Sequence, residues 1–262
     1  MTRFALGIEY DGRAFSGWQR QSHAASVQQT LESCLSEIAD EPISVHCAGR
    51  TDSGVHALGQ VVHFESAKAR PQRAWTLGVN SLLPREVAVT WVAAVPDDFH
   101  ARFSAQSRTY QYIILNQPLR SALWSGRVTW ESRPLVAERM HQASQYWLGE
   151  HDFSAFRAAG CQAKTPFRCI ESIAVRRQNE YIVVRVCANA FLHHMVRNLV
   201  GVLVEIGTGR REPLWAQEVL FGKNRQKAAK TAPPDGLYLV DVDYPAHYGL
   251  PRAERNFPGL VD

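Results

Sequence analysis

The chain has 262 residues, of which 45% are hydrophobic, and its formal net charge is +4 at pH 7. This composition is typical of a packed globular protein and excludes a disordered chain. Five cysteines without a Cys-x-x-Cys spacing predict neither a disulfide framework nor a zinc site. No apolar run reaches the roughly 20 residues of a membrane span. Together with reduced cysteines, this predicts a cytoplasmic protein that does not enter a membrane.

The first half of the sequence predicts the element order β-α-β-β-α-β. Apolar alternation and β-branched runs indicate the strands. Ser26 is followed three residues later by Gln29, a capping-box spacing that begins a helix. The predicted elements are strands at 3–10, 43–47, 60–64 and 87–95, a helix from Ser26, and a second helix at 71–82.

The second half repeats this order after a polar connector at 97–106. The predicted elements are strands at 107–115, 168–177, 181–188 and 237–244, helices at 135–148 and 192–206, and an extra short helix at 213–220. We therefore predict an α+β protein of two tandem ferredoxin-like halves, with largely antiparallel sheets and helices on one face. The predicted domains are 1–103, and 104–262 with the extra helix and a tail.

A polar loop between two predicted strands contains the most distinctive residues. Gly49 and Gly54 permit tight turns there, and between them lie Arg50, Thr51, Asp52 and Ser53. Taken alone, Asp52-Ser53-Gly54 is most simply a turn. An aspartic protease also uses Asp-Ser/Thr-Gly, but it needs two carboxylates that share one proton. The chain has no second such tripeptide, so the protease interpretation is weak.

Two further residues have both a structural and a functional interpretation. Arg197 lies in the apolar helix at 192–206, where its side chain either extends to solvent or is paired. Tyr110 shares one strand face with Tyr112 and Ile114, so it is either a core residue or an aromatic surface for a base. The histidines lack the His-x-x-x-His spacing of a helical metal pair, and we predict no metal site.

The stretch Ala48-Gly-Arg-Thr-Asp-Ser-Gly-Val-His-Ala57 resembles the catalytic loop of the tRNA pseudouridine synthase A family. The resemblance extends over nearly the whole chain. It is also carried by Tyr10-Asp-Gly, Gly17-Trp-Gln, Phe99-His-Ala-Arg-Phe, Arg108-Thr-Tyr110, the helix Phe191 to Asn198, and Gly236-Leu-Tyr-Leu-Val-Asp-Val-Asp-Tyr244. The Asp52 loop and the helix that begins near His193 are its most specific parts.

The resemblance implies an isomerase that converts uridine to pseudouridine at positions 38, 39 and 40 of the tRNA anticodon arm, as a homodimer without a cofactor. It implies that Asp52 is the catalytic carboxylate, that Arg197 is its ion-pair partner, and that Tyr110 stacks on the flipped-out uracil. We also assign Arg50 to substrate binding. A carboxylate in this place could attack C1′, attack C6 or remove a sugar proton, and all three roles remain open.

An alternative of another class is an RNA-binding protein without catalysis. Two β-α-β-β-α-β halves could be two RNA-recognition motifs, which also bind unpaired RNA on their sheets. Those modules carry a Gly, Phe and Val signature on a central strand, and neither half shows it. The Asp52 loop would also serve no purpose in such a protein.

Overall fold

The computed structural model describes residues 1–251 and divides into two compact units. Unit 1 comprises Met1–Gln106 and the described part of Tyr238–Asp262, and unit 2 comprises Ser107–Leu237. The predicted division into 1–103 and 104–262 differs from these units because the last strand returns to unit 1. Residues 252–262 of the predicted second domain lie outside the described residues.

Unit 1 is built on one sheet in which most strands are antiparallel. Its elements are β1 (Thr2–Tyr10), α1 (Val27–Ala39), β2 (His46–Cys47), β3 (His56–Ser66), α2 (Val79–Leu82), β4 (Val87–Val95) and β10 (Leu237–Asp243). Strand β1 pairs with β4 on one side and with β3 on the other. On the far side of β3, β2 pairs antiparallel and β10 pairs parallel.

The core of unit 1 lies on one face of this sheet. Phe4 of β1 and Phe64 of β3 occupy paired positions, and both rings pack against Trp75, which is fully buried. Trp75 belongs to a π-helical turn, Ala74–Gly78, that leads directly into α2. Helix α1 begins as predicted, because the Ser26 side chain accepts a hydrogen bond from the backbone N–H of Gln29.

Unit 2 contains five strands and three α-helices among its described residues. Its elements are β5 (Ser107–Asn116), β6 (Thr129–Glu131), α3 (Ala137–Ser144), β7 (Gly149–Asp152), β8 (Phe167–Gln178), β9 (Tyr181–Ala188), α4 (Met195–Gly207) and α5 (Trp215–Gly222). The strands β5, β9, β8 and β7 are neighbours in that order, all antiparallel, and the short β6 pairs parallel with β5. Both units are therefore α+β, and most of their strand pairs are antiparallel.

The strand before the Asp52 loop is shorter than predicted. Residues 43–47 were expected to form a strand, but only His46–Cys47 pairs with a neighbouring strand. The backbone N–H groups before His46 bond to side chains of α1 instead. The Ser36 hydroxyl accepts from the N–H of Ile43, and the Glu32 carboxylate accepts from the N–H of Val45. The strand after the loop is longer than predicted, because β10 provides a partner for its first residues.

Two short strands, β6 and β7, were not predicted because neither shows an apolar alternation. Among residues 1–251, no helix combines the length and the apolar character needed to cross a membrane.

Candidate active site

The Asp52 loop presents its carboxylate from a tight turn. The backbone N–H of Val55 donates to the Asp52 carbonyl at 3.1 Å, and Gly54 has φ +77°, a conformation that favours glycine. The simple interpretation of this tripeptide as a turn is therefore confirmed. Asp52 is half-buried, whereas Ser53 and Arg50 on either side are exposed. The turn thus holds a carboxylate at a partly shielded position between two strands.

The middle of the loop is anchored to the segment after β1. The Tyr10 hydroxyl and the Thr51 hydroxyl, both buried, share a hydrogen bond of 2.8 Å. The Trp18 N–H donates to the Thr51 carbonyl at 3.0 Å. Gly17 has φ +95°, and a Cβ there would lie 2.9 Å from the same carbonyl. The residue before Asp52 is therefore fixed through its side chain, its carbonyl and a close backbone approach.

The start of the loop is anchored by a buried glutamine on β3. The Gln60 side chain is fully buried. Its Nε2 donates to the Gly49 carbonyl at 2.7 Å, and its Oε1 accepts from the Gly49 N–H at 3.4 Å. A side-chain amide thus pairs with both backbone groups of one loop residue, as a neighbouring strand would.

The end of the loop adjoins an ionised pair. Asp11 pairs with Arg13 at 2.5 Å, and His56 Nδ1, which accepts from the Gly12 N–H, lies 3.4 Å from Asp11. Burial acts to raise the pKa of Asp11, but hydrogen bonds from the side chain and the backbone of Arg13 outweigh it and lower the pKa to about 2. Asp11 is therefore a structural anion at neutral pH.

The cysteine at the start of the loop is a poor nucleophile. Burial raises the pKa of the Cys47 thiol to about 12, although Arg50 and Arg102 act in the opposite direction. A thiolate is the reactive form of cysteine. Asp52 is therefore a better candidate than Cys47 for a reactive group in this loop.

In unit 2, Tyr110 is a buried strand residue with an aromatic neighbour. It pairs with Val186 of β9, is 8% exposed, and meets Phe191 edge to face with ring centroids 5.0 Å apart. Tyr112 on the same face is fully buried, and its hydroxyl bonds to Thr129 and to the Pro233 carbonyl. The ring of Tyr110 is thus supported by packing and keeps a small accessible surface.

Arg197 lies in the first turns of α4 and is half-buried. Its Nε donates to the Ala232 carbonyl at 2.9 Å, and the Ala232 N–H donates to the Arg197 carbonyl at 3.1 Å. The Nε edge of the guanidinium is therefore bonded to a backbone carbonyl of the same unit. The structure places Asp52 and Arg50 in unit 1, and Arg197 and Tyr110 in unit 2.

The sequence interpretation missed the residues that hold the site residues in place. Gln60 and Asn198 are the clearest cases, and both are fully buried or nearly so. Each is an amide inside an otherwise apolar strand or helix, which was the available signal, because buried amides require hydrogen-bond partners. Their partners are distant in sequence, so the spacing of residues could not identify them.

The sequence is similar over most of its length to proteins of one described family. The family described as "tRNA pseudouridine synthase" matches residues 7–104 and 143–245. A "tRNA pseudouridine synthase A" of Hydrogenovibrio crunogenus is 54% identical over 252 residues, covering 96% of each chain. The protein with the same description from Escherichia coli is 57% identical over 250 residues, covering 95% of this chain and 93% of its own. A chain in the crystal structure of a Cbf5–Nop10–Gar1 complex aligns with a TM-score of 0.35 and 12% identity, over 77% of this chain and 45% of that one.

Proposed function

Because the chain belongs to the tRNA pseudouridine synthase family, we infer that it is an isomerase that converts uridine to pseudouridine in the anticodon region of tRNA. The observation that carries this inference is the identity of 54% and 57% to two such enzymes over nearly the full length of both chains. The family match includes Asp52, Arg50 and Arg197, while Tyr110 lies between the two matched ranges.

The reaction is an internal rearrangement. The N1–C1′ bond of uridine breaks, a C5–C1′ bond forms, the C5 proton leaves to solvent and N1 takes up a proton. Nothing is oxidised or hydrolysed, so the chemistry requires no cofactor. It requires a base removed from its stack, a carboxylate near the sugar or ring, and an aromatic surface for the extruded base.

We assign the catalytic carboxylate to Asp52. Its support is the rigid loop: Thr51 is held by Tyr10 and Gly49 by Gln60, so the carboxylate is fixed before substrate arrives. The test is tritium release from tRNA labelled at uracil C5, since isomerisation expels that proton and binding does not. Asp52→Asn should release no tritium and still bind tRNA, because phosphate contacts supply most of the affinity. Tritium release at the wild-type rate by this variant would refute the assignment, and no release by the wild-type protein would favour the RNA-binding alternative.

We assign Arg197 as the ion-pair partner of Asp52, and the exposed Arg50 as a contact to substrate. A guanidinium next to a carboxylate favours its ionised form. Removing one member of a fully buried pair typically costs about 3–5 kcal/mol, and we expect a smaller loss here because both side chains are half-buried. Arg197→Ala should therefore lower both stability and activity, and Asp52→Ala added to it should restore part of the stability. Additive effects of the two substitutions on stability would show that the side chains do not interact.

Arg50→Ala should weaken tRNA binding, and an unchanged affinity would remove Arg50 from the substrate contacts.

We assign Tyr110 as the surface on which the target uracil stacks. A stacked base is worth roughly 1–3 kcal/mol by truncation of the aromatic residue. Tyr110→Leu should reduce turnover strongly, with a smaller loss of melting temperature from its contact with Phe191. Tyr110→Phe keeps the ring and tests whether the hydroxyl moves a proton. A fully active Tyr110→Leu protein would exclude Tyr110 from the site.

The finer features of the function are part of the same proposal. We propose that positions 38, 39 and 40 of the anticodon arm are modified, that the enzyme acts in the cytoplasm, and that it is a homodimer. Mapping of pseudouridine in tRNA from a strain lacking the enzyme, with and without this chain, tests the positions. Light scattering of the purified protein tests the dimer, and a monomeric mass for the active protein would contradict it.

We also propose that the chain is built of two tandem ferredoxin-like halves. In unit 1 the strand order β4-β1-β3-β2 follows that arrangement. In unit 2 the order β5-β9-β8 does so too, and α3 packs on its sheet, where His141 Nδ1 accepts from the Val175 N–H. An experimental structure with another strand order in either unit would contradict this proposal.

A further inference from the structure

A segment of unit 2 crosses helix α4 at the level of Arg197. We call residues 225–232 the strap. At Gly201 the strap lies so close to the helix that a Cβ would be 2.1 Å from the Lys230 carbonyl oxygen. Only glycine permits this approach of two backbones. The strap then continues to Ala232, which exchanges two hydrogen bonds with Arg197.

Asn198, the residue after Arg197, links the strap to the rest of the unit. It is 1% exposed. Its Nδ2 donates to the Phe156 carbonyl at 2.7 Å. Its Oδ1 accepts from Arg225 Nη2 at 2.9 Å and from the Thr231 hydroxyl at 2.7 Å. Both polar ends of this buried amide are thus used, one towards the body of unit 2 and one towards the strap.

Arg225 closes the strap upon itself. Its Nη1 donates to the Ala229 carbonyl and its Nη2 to the Thr231 hydroxyl, each at 2.8 Å. Together with the bond to Asn198, one guanidinium therefore holds both the strap and the helix. A planar group with several fixed donors is suited to this task, and lysine would not reproduce it.

The consequence for Arg197 is a fixed guanidinium plane. Its Nε is bonded to the Ala232 carbonyl, and the position of that carbonyl depends on the strap. The orientation of the edge formed by Nη1 and Nη2 is then fixed. This edge can form a bidentate pair with a carboxylate. A displaced strap would turn this edge away without removing any atom of Arg197.

We propose that Asn198 and Arg225 are positioning residues that orient Arg197 through the strap. This rests on the proposed function, in which Arg197 pairs with the catalytic Asp52. Neither residue is assigned a contact with the substrate. Their effect is on the rate of the chemical step, because a misplacement of about 1 Å in an active site can lower the rate by on the order of 10²-fold.

The experiment measures kcat for tritium release, tRNA affinity and melting temperature for Arg225→Ala. We expect kcat to fall by on the order of 10²-fold with tRNA affinity unchanged. Thr231→Val removes a single hydroxyl from the strap and should lower kcat by a smaller factor. This variant replaces Arg225→Ala in the test if Arg225→Ala does not fold. The matched control is Arg177→Ala, since Arg177 also donates to an asparagine, Asn116, and to a backbone carbonyl, that of Leu135. It should keep the wild-type kcat.

A double-mutant cycle separates positioning from general stability. Arg197→Lys retains a cation but lacks the Nε bond to the strap. In this background Arg225→Ala should lower the melting temperature as before and cause no further loss of kcat. If the losses of kcat multiply instead, Arg225 does not act through Arg197 and the proposal is wrong. This holds even if Asp52→Asn is inactive, a result that would leave the proposed function intact. If Asp52→Asn is active, the assignment of Asp52 fails, and if the wild-type protein releases no tritium, the proposed function fails; both outcomes are distinct from the first.

Discussion

Gln60 offers a direct test of how the Asp52 loop is held. Gln60→Met preserves the length and volume of a fully buried side chain but removes its 2.7 Å and 3.4 Å bonds to Gly49. A buried polar group that loses its partner costs about 1–3 kcal/mol. For a chain of this size, each kcal/mol lowers the melting temperature by roughly 2–4 °C. We therefore expect a decrease of roughly 2–12 °C.

The same substitution should affect catalysis more than stability alone explains. Gly49 lies three residues before Asp52, so freeing it lets the carboxylate move. We expect kcat for tritium release to fall by on the order of 10²-fold, with tRNA affinity retained. The measurement is made well below the melting temperature of the variant, so that the unfolded fraction is negligible.

Asn80 provides a matched control in the same unit. Its side-chain amide also pairs with both backbone groups of one residue, donating to the Val89 carbonyl at 2.8 Å and accepting from the Val89 N–H at 2.7 Å. Asn80→Leu should cost similar stability and leave kcat unchanged. If Gln60→Met keeps the wild-type kcat, or if Asn80→Leu loses as much activity, the anchoring of the loop by Gln60 has no catalytic role.

Three further predictions concern packing, pH and metals. Gly12→Ala should lower the free energy of unfolding by about 1–3 kcal/mol through overpacking, because the new Cβ would lie 2.1 Å from the Val55 carbonyl oxygen. Gly222→Ala is the control, since a Cβ there meets no atom within 4 Å and should cost nothing. Equal melting temperatures of the two variants would contradict this prediction. Burial, assisted by His100 and His46, lowers the pKa of His63 from 6.5 to about 4. The unfolded chain therefore binds the proton first, and the stability that neutral His63 contributes above pH 6.5 is lost as the pH falls towards 4. His63→Gln should reduce this loss in thermal melts, whereas parallel pH profiles would exclude His63 as its source. Exhaustive chelation should leave the reaction rate unchanged while the tRNA remains folded, and a loss that zinc alone restores would reveal a metal site.

The elements with strong local signals could be predicted from the sequence. Strands β4 and β9 have the predicted bounds, and α1 begins at the predicted cap, because apolar alternation and capping are properties of neighbouring residues. The length of β3 could not be predicted, since its first residues pair with β10, which lies far along the chain. Strand β7 has the sequence Gly-Glu-His-Asp and offers no apolar period.

The site shows the same division between local and distant signals. The turn at Asp52 follows from its own residues, and Arg197 was recognisable as a cation in an apolar helix. The anchors of these residues were not recognisable, because Gln60, Arg225 and Ala232 act on them through hydrogen bonds that depend on the folded structure. A sequence pattern identifies a reactive group more readily than the contacts that orient it.

The return of β10 to unit 1 makes the order of protein synthesis important. His56 and Ala57, which directly follow the Asp52 loop, pair with Tyr238 and Leu239. On the ribosome, the loop and β3 are made early, but this pairing must wait until Tyr238 and Leu239 have emerged. Unit 2 is continuous in sequence and can fold before it. A polypeptide that terminates before residue 237 therefore contains Asp52 and lacks the strand that secures the end of its loop, so incomplete translation products should be inactive in tritium release.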